Sequence, residues 1–180
     1  MSTEPDPFAQ LALRPTFDLE PAALRKAYLA RVAQLHPDLQ GERNDEPDPQ
    51  AAALNRARRV LEDPESRANA LLIRLGGAAS AEDKALPPGF LMEILDLRER
   101  IEATLAGGSP ADRALCQEEA DERRAAHIAR IEALFRALGD PPAPSDLAAI
   151  RTELNAWRYT ERLIEQLDPG YDPVRADFKG

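Results

Sequence analysis

The chain has 180 residues, with 23 basic side chains against 32 acidic ones and a net charge of −9 at pH 7. That length holds one domain or two small ones, and that charge excludes a non-specific nucleic-acid binder, which needs a basic face. Helix formers are abundant while aromatic and β-branched residues are scarce, so the expected class is all-α, and no apolar run approaches the ~20 residues of a membrane span.

Asp6-Pro7-Phe8 with Leu11 and Leu13 suggests a short first helix ended by Pro15, after which Phe17 and Leu19 can pack. Glu20-Pro21 opens a second helix, with proline in the first turn and a carboxylate at the positive end of the dipole. Leu24, Tyr28, Val32 and Leu35 recur along it at helical spacing and are expected to face a neighbouring helix. The same helix carries Arg25, Lys26 and Arg31 and no acid after Glu20, a basic surface on an acidic protein. It stops at His36-Pro37-Asp38, because proline has no N–H to donate and drives the preceding residue out of the helical region. Two polar side chains flanking a rigid residue are thereby held at the tip of a helical hairpin.

Residues 39–50 are polar, acidic and twice interrupted by proline, which reads as a loop. A third helix, about 51–62, has Leu54, Ala57 and Leu61 as its apolar stripe. Asp63-Pro64 restarts a helix as N-cap and first helical residue, with Ala68, Leu71, Leu72 and Leu75 inward until Gly76-Gly77. Residues 1–76 hold ten basic and twelve acidic side chains, so most of the acidity lies beyond them.

A small, polar linker over 77–86 and Pro87-Pro88-Gly89 precede a second unit, 87–170, of three helices joined by short turns. The first spans about 89–106, the second starts at Ser109-Pro110 and runs to Leu138, and the third begins at Ser145 or Asp146 and closes at Asp168-Pro169-Gly170, leaving a tail over 171–180. That pattern predicts an antiparallel three-helix bundle. Phe90, Ile94, Leu97, Ile101 and Leu105 form a complete core stripe on its first helix; Ile128, Ile131, Phe135 and Leu138 serve the second, and Leu147, Ile150, Leu154, Trp157 and Ile164 the third. Leu91, Met92 and Leu95 are then left over, on a face that continues into Asp96 and Glu99, and Tyr159 lies about 200° round from Trp157 at ~100° per residue. Such a surplus apolar face is either a partner surface or a helix buried on two sides; the pattern alone leaves both open.

Cys116 is the single cysteine, and His36 and His127 are the only histidines, so neither an internal disulfide nor a Cys/His zinc set can form. Cys116 is expected to be an inert thiol on a helix. Residues 1–7 are acidic and lack a basic-then-apolar signal, which points to a cytoplasmic protein. His36 and Asp38 could serve as an acid–base pair, but no glycine-rich phosphate loop, metal set or activated nucleophile accompanies them. No enzymatic activity, cofactor or metal is expected.

Arg25-Lys26-Ala27-Tyr28, a further helical stretch, then His36-Pro37-Asp38 and the loop and helix after it resemble a J domain, the module that stimulates the ATPase of DnaK-type chaperones. The run from Pro88 to Glu99 resembles the start of the C-terminal domain of HscB, the iron–sulfur cluster co-chaperone, and Asn55, Ala57, Leu61, Pro64, Arg67 and Ala68 fit that family's passage between its third and fourth helices. The likeness extends to Trp157-Arg158-Tyr159 and covers nearly the whole chain. It implies an L-shaped arrangement of a J domain and a scaffold-binding bundle, monomeric, without nucleic-acid or membrane partners. It places chaperone (HscA-like) contacts at Arg25, Lys26, Tyr28, Arg31, His36, Pro37 and Asp38, and contacts to an IscU-like scaffold at Leu91, Met92, Leu95, Asp96, Glu99 and Tyr159. A J-domain co-chaperone for a different client is the alternative. Departures from the family include Leu39, where J domains commonly have Lys or Arg; Leu29 and Ala30 at usually basic positions; Arg31 where an apolar residue is usual; and Ala70, where an aromatic is typical.

Overall fold

A computed structural model describes residues 5–35 and 49–167. The chain divides into two compact units, Met1–Ala79 and Ser80–Gly180. Among the described residues there are seven α-helices and no strand: α1 (Pro7–Gln10), α2 (Pro21–Gln34), α3 (Pro49–Glu62), α4 (Pro64–Arg74), α5 (Phe90–Gly107), α6 (Pro110–Arg136) and α7 (Pro144–Ile164), the last running into a 3-10 turn, Glu165–Leu167.

In the N-terminal unit α3 is the central element, with α1, α2 and α4 all packed on it. Its predicted stripe is its core: Leu54, Ala57 and Leu61 are buried, as are Phe8, Leu11, Phe17, Leu24, Ala68, Leu71 and Leu72 of the elements around it. Asp63 caps α4 by accepting from the Ser66 N–H at 2.8 Å, with Pro64 in the first turn where no amide proton is needed. Arg67 anchors the extended segment before α2: its guanidinium donates to the Phe17 carbonyl at 2.9 Å and the Leu61 carbonyl at 2.6 Å and lies 5.2 Å from the Phe17 ring centroid. Its burial pushes the guanidinium below its ordinary value.

α4 ends in a Schellman motif, the Gly76 N–H bonding the Ile73 carbonyl at 3.0 Å and the Gly77 N–H the Leu72 carbonyl at 2.9 Å. Both positions require glycine. Gly76 has φ +88°, and a Cβ on Gly77 would sit 2.3 Å from Leu72 Cδ1. One expectation fails on α2: Val32 is 36% exposed, and Leu24 is the buried residue of that helix.

α5, α6 and α7 pack pairwise. Contacts between neighbours run in opposite senses, Arg100 with Glu119 and Thr104 with Cys116 between α5 and α6, Arg124 with Glu161 and Arg130 with Glu153 between α6 and α7, so neighbours are antiparallel. Ser109 and Asp112 form a capping box at the start of α6, and the two hydrogen bonds from Ser109 hold the Asp112 carboxyl below its ordinary range. Before α5 the chain lies against the bundle: the Asn155 amide donates to the carbonyls of Asp83 and Ala85, each at 3.0 Å, and Leu86 packs on the core.

Three details of the expected bundle are corrected. α5 keeps Phe90, Ile94, Leu97 and Ile101 buried but replaces Leu105, which is 43% exposed, with Thr104. A 3.6-residue period cannot take two four-residue steps after Leu97 without drifting off the face, and Thr104 meets Cys116 across the interface. On α6 the buried stripe is Cys116, Ala120, His127 and Ile131, whereas Ile128 and Phe135 are half-buried, as is Leu138 just past the helix end. α7 begins at Pro144 with Ala143 as an N-cap lacking any side-chain bond, one residue before the expected Ser145.

Candidate functional site

The first candidate site is the surface of α2 together with the motif at residues 36–38. Arg25 and Lys26 are exposed, and Arg31, half-buried, donates to Gln34 Oε1 at 3.3 Å. Tyr28 is set differently: its hydroxyl donates to Asn55 Oδ1 at 2.7 Å, and Arg58 of α3 lies 4.9 Å from its ring centroid while pairing with Glu62 at 2.7 Å. Tyr28 therefore fixes α2 against α3 and so orients the basic face beside it. The helix stops at Leu35, whose N–H bonds the Val32 carbonyl at 3.0 Å. His36, Pro37, Asp38 and Leu39 lie outside the described residues.

The second candidate site is on the bundle. Leu91, Met92 and Leu95 are 55%, 72% and 47% exposed, although the helix that carries them has its own buried stripe. Asp96 and Glu99, the next polar residues along that face, are exposed too. Tyr159, 40% exposed on α7, meets α5 through an edge-to-face contact with Phe90 (centroids 5.9 Å apart, planes at 87°). Tyr159 thus reaches α5 at Phe90, which belongs to that helix's buried stripe and directly precedes Leu91 in the chain. Sequence reasoning missed the basic neighbours of Tyr159: Arg98 and Arg162 border a hollow of about 330 Å3 beside it.

Behind this face runs a polar network that the sequence did not announce. His127 is buried; its Nδ1 lies 2.7 Å from Glu153 Oε1 and its Nε2 lies 3.1 Å from Thr160 Oγ1. Its ring also meets Phe90, with centroids 6.4 Å apart, so Phe90 sits between His127 and Tyr159. One turn away Glu161 accepts two bonds from Arg124, at 2.6 and 2.7 Å, and one from Trp157 Nε1 at 2.8 Å. The carboxylate of Glu161 holds the Arg124 guanidinium above its ordinary value. The usable signal for His127 was its place in the series 116, 120, 127, 131, which shares one helical face.

Both ring nitrogens of His127 are occupied, so it presents no free lone pair to a substrate. Among the described residues no group of three or more His, Cys, Asp or Glu could hold a metal ion, and no helix is long and apolar enough to cross a membrane. Cys116 is buried, and that burial pushes its thiol up. Iodoacetamide at neutral pH is therefore expected to label the native chain at least ~10-fold more slowly than the urea-unfolded chain, because the thiolate is the reactive form. Equal rates, read by mass spectrometry, would contradict this placement.

Comparison with known proteins identifies the family and the fold. A family model described as the HSCB C-terminal oligomerisation domain matches residues 86–168. The co-chaperone protein HscB homolog of Burkholderia multivorans is 36% identical over 158 residues, spanning 84% of this chain and 88% of that protein. The chain belongs to the HscB co-chaperone family. The same fold occurs in the chaperone HscB from Vibrio cholerae, at 22% identity and a TM-score of 0.71 over 97% of this chain and 99% of that one. Human co-chaperone protein HscB gives a TM-score of 0.73 at 19% identity, covering 93% of this chain and 82% of that one. The HscB fold, an N-terminal J domain followed by a C-terminal helical bundle, is the class expected from the sequence.

Proposed function

We propose that this HscB-family chain is a two-ended adaptor in iron–sulfur cluster assembly. Its J domain stimulates the ATPase of a DnaK-type, HscA-like chaperone, and its bundle binds and delivers an IscU-like scaffold. The observation that carries the reading is the exposure of Leu91, Met92 and Leu95 on a helix whose core stripe is already complete. Apolar side chains left in water beside Asp96 and Glu99 form a surface suited to a partner, and methionine repacks readily against one. Tyr159 extends that surface onto α7.

At the other end Arg25, Lys26 and Arg31 steer the J domain toward an acidic chaperone surface, and Tyr28 holds α2 in place for that encounter. Asp38 offers a carboxylate to a chaperone arginine, with His36 and Pro37 setting its direction. The adaptor does no chemistry of its own; both partners meet on one ATP cycle.

Single-turnover ATPase of the cognate chaperone, with and without this protein and the scaffold, tests the reading. The wild type accelerates turnover, and Asp38→Asn or His36→Gln removes about 1.5–3 kcal/mol of charge-assisted contact, roughly 10–150-fold in chaperone affinity. Equal stimulation by wild type and both variants would sink the J-domain assignment. Stimulation without scaffold binding would assign the bundle to a different client.

A further inference from the structure

One concave feature of the N-terminal unit serves neither end of this adaptor. A groove of about 630 Å3 runs between α1, α3 and α4. Val60, Ala70 and Ile73 line it with apolar surface, and Ile73 is 41% exposed there. Residue 70, one of those that line the groove, carries only a methyl group. A ring at that position would project into the groove.

The rim is basic. Arg56, Arg59 and Arg74 all border the groove, on a protein whose net charge is −9. Among the described residues Asp6 is its one acidic lining residue, and it is paired with Arg74. Arg56 and Arg59 are exposed, and neither pairs with a carboxylate among the described residues. Arg58 gives the contrast. It faces α2, where it pairs with Glu62 and lies over the Tyr28 ring. At ~100° per residue Arg56 is about 200° round the helix from Arg58 but only about 40° from Val60. Among the described residues α3 therefore neutralises the arginine on its α2 side and leaves Arg56 and Arg59 without a carboxylate.

We propose that this groove docks an acidic segment of a partner protein. The segment sets an apolar side chain over Val60, Ala70 and Ile73 and places carboxylates against Arg56 and Arg59. Guanidinium forks match carboxylates in geometry as well as charge, and the floor adds apolar burial that a purely electrostatic contact lacks. A peptide suits the site better than a small metabolite, because the groove is open to solvent along its arginine rim, whereas small-ligand sites cover about 70–90% of their ligand.

The test uses the full chain and a fluorescein-labelled peptide of alternating Glu and Leu pairs, with the same peptide carrying Lys for Glu as control. Amide NMR signals of Arg56, Val60, Ala70 and Ile73 are expected to shift saturably with the acidic peptide and not with the basic one. Arg56→Glu combined with Arg59→Glu weakens binding roughly tenfold or more. Ala70→Phe, which fills the groove without altering the charge, weakens it as well, with circular dichroism confirming an intact fold in both variants. Undiminished affinity in the double charge reversal, or shifts that avoid the groove, overturns the proposal. Binding seen only after removal of residues 1–4 overturns it too, because the groove then belongs to the chain's own N-terminus.

Discussion

Replacing Leu91, Met92 and Leu95 together by alanine is expected to weaken scaffold binding by roughly a hundredfold while leaving thermal stability nearly unchanged. The side chains are 55%, 72% and 47% exposed, so about half or more of each remains to be buried by a partner. Complete burial of such a side chain contributes about 1.5–3 kcal/mol, so three of them on half-burial give about 3 kcal/mol, or roughly 100-fold. The folded chain loses little, because the side chains make few internal contacts and alanine is the best helix former. Leu97→Ala supplies the contrast on the same helix. Leu97 is fully buried, and its truncation is expected to cost about 2–5 kcal/mol of stability. Calorimetric titration of the scaffold and a thermal melt separate the two outcomes. If the triple variant melts as low as Leu97→Ala, the face is core; if it binds as tightly as wild type, the face is not the scaffold site.

That face was legible because counting was enough. A bundle helix needs one stripe, α5 has residues for more, and the excess could be named without coordinates. The helix starts were legible for a similar local reason. Six of the seven described helices open on proline, which fits a first turn where no amide proton is required. The same logic failed at α7, where good capping side chains at Ser145 and Asp146 outweighed Pro144 in the reading, although the structure begins at Pro144 with Ala143 before it.

What stayed hidden depends on partners far away in sequence. The burial of His127, Glu153 and Thr160 shows only once α6 and α7 are laid side by side, because a polar group is buried where another answers it. Thr104 lost to Leu105 in the pattern for the same reason: leucine is the more apolar, but the threonine faces Cys116. The basic groove could not be read at all, since its lining comes from three helices. The HPD motif is the opposite case. His36, Pro37 and Asp38 were the plainest signal in the sequence, and they lie outside the described residues.

Glu153→Ala is expected to be among the most damaging substitutions of a polar residue in the bundle. Glu153 and His127 are both under a tenth exposed, and the 2.7 Å contact between Oε1 and Nδ1 gives the carboxylate its neighbour inside the helix pair. Arg130 adds a weaker approach to the same carboxylate, at 3.7 Å. Removing the carboxylate leaves His127 Nδ1 enclosed without its partner, and stranding such a buried polar group costs about 1–3 kcal/mol. For a domain of this size each kcal/mol lowers the melting temperature by about 4–8 °C, so a drop of about 4 °C or more is expected. Glu153→Ala combined with His127→Leu should cost less than the sum of the two single changes, because no polar group is then left stranded. Additive losses would show that the two residues are energetically independent despite their contact. The substitution also reaches the surface. Phe90 touches both His127 and Tyr159, so loosening the network behind Phe90 is expected to weaken scaffold binding at temperatures where the chain is still folded. Leu61→Ala, a core truncation in the J domain, should lower stability without that effect.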